Sequence, residues 1–152
     1  MRTKIKYQVG DESLQRTLIS SMKAELSYDL LISKTKNTDV IHWISEKKEC
    51  TTDFILKVLT MLEDMEIQAK LNKGLRFKFN HLWFDLKTFV LPLENEDAVR
   101  ECLMIDNHYL DELENELKSV IMTDHIYALY TAQREKLRSF TMPINGADFL
   151  MI

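Results

Sequence analysis

The sequence predicts an all-α protein folded as a bundle of four helices, and three observations carry that prediction. Only 3 glycines and 2 prolines punctuate 152 residues, too few for a sandwich or a sheet with many tight turns. The prolines stand at Pro92 and Pro143, so long intervals are free to be uninterrupted helix. Apolar side chains recur at steps of three and four in four separate stretches.

The first helix is expected over about residues 11–33, after Gly10 and with Asp11 at its start. Its inward line reads Leu14, Leu18, Ser21, Glu25, Tyr28 and Ile32, one face of a helix with a carboxylate in its middle. The polar run KTKNTD makes a turn, with Thr38 or Asp39 as N-cap of a second helix over about 39–72. Ile44, Thr51, Ile55, Val58 and Leu62 mark its inner line, Trp43, Cys50 and Phe54 an adjoining one, and Gly74 supplies its stop. A third helix, about 95–121, opens with Glu96 and Asp97 in its first turn, where carboxylates favour the helix dipole. Cys102, Ile105, Tyr109, Leu113, Glu116 and Val120 face inward on it. Thr123 or Asp124 caps a fourth helix, about 124–141, whose inner line is Ile126, Leu129, Gln133, Leu137 and Phe140, and Pro143 ends it.

Connection lengths set the expected topology. Helices one and two, and three and four, are joined by a few residues each, which makes two antiparallel hairpins. The stretch between the hairpins carries Leu82, Trp83, Leu86, Phe89 and Val90 as a short amphipathic helix at about 81–91. Two hairpins joined by one long crossover is the ferritin-like form of the four-helix bundle. One domain spanning 1–152 is expected, long enough to bury a core without staples.

A net charge of -4, with lysines and arginines scattered, argues against nucleic acid as a partner. The run KGLRFK at 73–78 is short and mixed with apolar residues, and reads as a connector. Cys50 and Cys102 stand alone without a framework spacing, which suggests a reducing compartment. The N-terminus MRTKIKYQVGDES has no apolar h-region, and no stretch approaches the ~18 apolar residues of a membrane span. The expected address is therefore the cytoplasm, with no membrane partner.

Four segments carry a family likeness. Leu14 is followed eleven residues on by Glu25 and three later by Tyr28. His81, Trp83, Asp85, Leu86 and Lys87 form a tryptophan-containing segment ending in DLK. The stretch AVRECLMIDNHYLDELENEL holds Glu101, Cys102, Asp106 and Leu110 in register, and REKLRSF at 134–140 makes a closing turn. In their order and spacing, from about residue 11 to 141, these resemble an uncharacterised bacterial four-helix-bundle family of the ferritin-like superfamily, a domain-of-unknown-function group. Against that family's pattern, Asp106 stands for a third-helix glutamate and Arg134 for a closing-helix histidine. Ala24 and Ile105 stand where the family has glycines.

The resemblance implies a place for metal. Di-iron carboxylate bundles use one Glu from each of two helices and a Glu-x-x-His pair from each of the other two. Candidate ligands are Glu25 from the first helix, Glu49 and Asp53 from the second and Asp106 from the third. No Glu-x-x-His occurs: none of His42, His81, His108 and His125 follows a glutamate at that spacing. Arg134 at a ligand position repels a cation, because its guanidinium never deprotonates. It is instead expected to neutralise one of the inward acids, with Gln133 hydrogen-bonding Glu25 or Asp106.

Other signals are structural. Aromatics at helical spacing are core, the methionines are gap fillers, and DELENELK at 111–118 is expected to be a solvated helix face. The apolar tail 142–152, ending Phe149, Leu150, Met151 and Ile152, is expected to dock on its own bundle, on a second copy or on a partner protein. The resulting expectation is a homodimeric, non-catalytic binding or stress-associated structural protein with a degenerate metal site and no cofactor. Its rival is an iron-handling protein or di-iron oxidase built on the four acids.

Overall fold

The computed structural model describes residues 10–69 and 93–140. The described residues form four α-helices: α1 (Asp11–Lys34), α2 (Thr38–Asp64), α3 (Asn95–Ser119) and α4 (Asp124–Ser139). No strand occurs among them beyond one isolated bridge between Thr35 and Leu93. The expected crossover helix at 81–91 and the tail 142–152 lie outside the described residues.

Local chemistry explains where each helix begins and ends. α1 starts at Gly10, which takes φ +97 and comes so close to α4 that a Cβ there would meet Ile126 Cδ1 at 2.8 Å. Glycine is required by the left-handed conformation, while the Ile126 methyl at the end of its side chain can yield to a Cβ. The cap of α2 is Asn37, one residue ahead of the expected Thr38 or Asp39, and its Oδ1 accepts from the N–H groups of Asp39 and Val40 at 2.9 and 3.1 Å. Thr123 caps α4 as expected, accepting from the Ile126 N–H.

The end of α2 corrects the sequence reading. The helix stops at Asp64, not near residue 72. Glu66 turns left-handed, with φ 60, and the N–H groups of Glu66 and Ile67 bond back to the carbonyls of Glu63 and Leu62. That crossed pair closes the helix without glycine, and Ile67 lies with Leu62 in one surface groove, the apolar contact that accompanies such a stop. Because αL is rare for glutamate, Gly74 was the more visible stop signal.

α1 lies between α2 and α3, and α4 closes the far side against the same two helices. Successive contacts run in opposite senses along neighbours. On α1 and α2, Asp29 meets Lys48 and Glu25 meets Thr52. On α1 and α3, Ser13 meets Glu116, Ser21 meets Tyr109, and Tyr28 meets Asp106. On α2 and α4, Cys50 meets Gln133 and Phe54 meets Tyr130. Every such pair is therefore antiparallel. Gln68 O accepts from Gln15 in the second turn of α1, while the Leu93 N–H donates to Lys34 O at its other end. At 1.5 Å per residue those anchor points stand roughly 28 Å apart along α1.

The buried seam of α1 follows a seven-residue repeat: Leu14, Thr17, Ser21, Ala24, Tyr28, Leu31 and Thr35 are all buried. Ser13, Ser20 and Ser27 flank it on one side, also buried. Leu18, Glu25 and Ile32 flank it on the other, and of these only Leu18 is fully enclosed. Glu25 is thus one position off the seam, about 100° around the helix from Ala24.

Candidate functional site

The centre of the bundle is polar at three levels, each anchored on α1. At the first level, Ser13 donates to Glu116 at 2.6 Å and bonds the Tyr130 hydroxyl at 2.9 Å, while Arg16 clamps Glu116 with two bonds of 3.0 Å. At the second, the Ser21 and Tyr109 hydroxyls lie 2.6 Å apart. Gln133 Nε2 donates to that same Tyr109 oxygen, and the Cys50 thiol donates to Gln133 Oε1.

The third level holds charge. Lys47 of α2 donates to Asp106 Oδ2, and the Tyr28 hydroxyl donates to Asp106 Oδ1 at 2.5 Å. The lysine and aspartate side chains are 2% and 8% exposed, so this is a buried ion pair. Lys47 Nζ also sits 3.6 Å from the centroid of the Trp43 ring, one turn earlier on α2, where the negative face of the indole attracts a cation. Cys102 is one turn before Asp106 on α3 and fully buried. Its thiol is pushed well above the ordinary range by burial and by the Asp106 charge, with Lys47 pulling the other way. Burial, then the Asp106 charge and hydrogen bond, likewise push the Tyr28 phenol far up. Both groups stay protonated, and the charge at this level rests on Lys47 and Asp106.

The four candidate metal ligands are distributed differently from the expected cluster. Glu25 lies half-buried in a groove of ≈ 430 Å³ between α1 and α2, beside Met22, Leu26, Asp29 and Lys48, where Thr52 Oγ1 donates to it. Glu49 and Asp53 are exposed on α2. Asp106 alone is buried, with both oxygens engaged. Among the described residues, no group of three or more His, Cys, Asp or Glu side chains is placed to hold a metal ion. The donor set expected for iron does not fit a common ion. His42 and His108 pair with Glu46 and Glu112 on the surface.

The expected partners of those acids are also reassigned. Arg134 does not neutralise Glu25, Glu49, Asp53 or Asp106; its Nη1 donates to Glu114 at 2.7 Å, and Arg138 joins the same carboxylate. Gln133 is buried as expected, but bonds Tyr109 and Cys50 in place of Glu25 or Asp106. Glu114 and Glu116 show that the run 111–118 is only partly a solvated face, since both tie α3 to another helix. Burial raises the Cys50 thiol, against the pull of Lys136 and Lys57, so no reactive thiolate forms there.

Lys47 is the residue that sequence reasoning passed over. It fills the gap in the α2 inner line between Ile44 and Thr51, three residues after one and four before the other. That spacing was the available signal, masked by the expectation that lysine faces water.

No protein-family model, no curated protein and no solved structure matches this chain. Among the described residues, no helix is long and apolar enough to cross a membrane.

Proposed function

We propose that this is a ferritin-like bundle, related to the uncharacterised bacterial family it resembles, in which an internal ammonium has taken the role of a metal ion. In this reading it is a non-catalytic binding or stress-associated structural protein, cytoplasmic and homodimeric. One observation carries the reading: the single buried acid of the expected ligand set, Asp106, spends both oxygens on Lys47 and Tyr28. A metal entering there must displace a lysine that is itself a cation, and must leave that lysine buried without a counter-charge. The penalty for stranding it is several kcal/mol, about 3–5 by analogy with other broken buried pairs. The other three acids offer no alternative centre, since Glu25 turns to Thr52 and Glu49 and Asp53 face water.

The test is metal retention. Untagged protein is given ferrous iron anaerobically, desalted, and assayed for iron per chain before and after air is admitted, with Glu25→Ala alongside. The reading expects no stoichiometric iron in either protein. Stoichiometric iron that oxidises with a new near-ultraviolet band, and is lost in Glu25→Ala, overturns it in favour of a di-iron carboxylate protein.

A further inference from the structure

The surroundings of Lys47 Nζ are more specific than an ion pair requires. Asp106 Oδ2 receives one N–H, and the Trp43 ring covers another side at 3.6 Å. Tyr28 holds the second Asp106 oxygen at 2.5 Å, which orients the carboxylate toward the nitrogen. These groups come from three helices: Tyr28 from α1, Trp43 from α2 and Asp106 from α3. All three are at least nine-tenths buried, at 0%, 5% and 6% exposure. An aromatic face and an oriented carboxylate, closed from water, are the elements by which proteins recognise organic ammonium ions.

We propose that this chamber is a recognition site for a primary alkylammonium group, filled in cis by Lys47. Docking of α2 onto the α1–α3 pair is then a tethered ligand-binding event. The chamber's ligand class is a primary ammonium on a short unbranched alkyl chain. A quaternary ammonium lacks the N–H that Asp106 receives, and a neutral alcohol lacks the charge that Asp106 and the indole face require.

Untethering the ligand tests the proposal. Lys47→Ala removes three carbons and the nitrogen, leaving space that ethylammonium or n-propylammonium matches. Thermal unfolding of wild type, Lys47→Ala, Lys47→Met and Lys47→Ala/Asp106→Asn is followed with ethylammonium, n-propylammonium, tetramethylammonium or 1-propanol, at constant ionic strength. The proposal expects n-propylammonium or ethylammonium to raise the midpoint of Lys47→Ala in a saturable manner. It expects no response from wild type, from Lys47→Met, whose side chain fills the space, or from the double variant. If Lys47→Ala is unfolded alone, the same amines are expected to restore its helical signal and a cooperative transition. An equal rescue by 1-propanol would show an apolar hole and overturn the proposal, as would a failure of both amines to act. The chamber shares the Lys47–Asp106 contact with the proposed function, but iron retention is read on wild type and amine rescue on Lys47→Ala, so the two failures are distinguishable.

Discussion

Replacing Asp106 by Asn keeps the side-chain shape and an oxygen that accepts from Tyr28 or Lys47, while removing the charge opposite Lys47. At 2% exposure the lysine has no route to water without moving α2, so the relevant regime is the broken buried pair. The expected loss is about 3–5 kcal/mol. For a chain of this size each kcal/mol moves the thermal midpoint by roughly 2–4 °C, so a fall of about 6–20 °C follows. Removing the whole triad is a different perturbation: Lys47→Met/Asp106→Leu/Tyr28→Phe leaves no stranded polar group. Its stability is expected to equal the wild type or exceed it by about 1–4 kcal/mol. Urea unfolding followed by circular dichroism, with the double-mutant cycle between positions 47 and 106, measures both. A loss below about 1 kcal/mol for Asp106→Asn would place the pair in the solvent-screened class and refute the buried-charge reasoning.

Further consequences follow from the same geometry. Gly10→Ala is expected to lose about 1–2 kcal/mol, since alanine must adopt the left-handed φ of +97; a loss under a few tenths in urea unfolding contradicts this. Tyr28 and Tyr109 have phenol pKa values raised chiefly by burial, so the unfolded chain ionises first. Their contribution is intact below an unfolded value of about 10 and is lost as pH rises through the folded values. Phenolate absorbance from these two residues should therefore appear with unfolding and not before it, and Tyr28→Phe should flatten the alkaline stability profile. The Glu114 carboxyl is held below its usual value by the Arg134 hydrogen bond. Its contribution is present above the unfolded carboxylate value, about 4.3, and lost as pH falls through the folded one. Glu114→Gln should flatten the acid side of the profile and leave the alkaline side unchanged.

The helices were legible because period and punctuation agree over long stretches. Leu14, Tyr28, Ile44, Phe54, Cys102, Tyr109 and Leu137 are buried where their spacing placed them. What misled was finer than a helix face. The line 14–18–21–25–28–32 alternates between the seam of α1 and its flank, so Glu25 was placed inside when Ala24 holds that position. A step of three and a step of four fit the same residues, and sequence alone does not choose between them. The polar levels were hidden for a second reason. Ser21, Lys47, Glu116 and Gln133 take meaning only from partners on other helices, 88, 59, 103 and 83 residues away for the bonds to Tyr109, Asp106, Ser13 and Cys50. Asp106, read from the sequence as a candidate metal ligand, is buried, and its partner was missed because charge type is a poor guide once pairing permits burial.

The most direct measurement is the nuclear magnetic resonance signal of the Lys47 ammonium in protein carrying nitrogen-15 lysine. One lysine NH₃⁺ resonance is expected to exchange slowly with water near neutral pH, shifted upfield by the Trp43 ring and absent from Lys47→Met. If every lysine ammonium exchanges at the rate of a solvated side chain, Lys47 is not held between Asp106 and Trp43, and the internal-cation account is wrong.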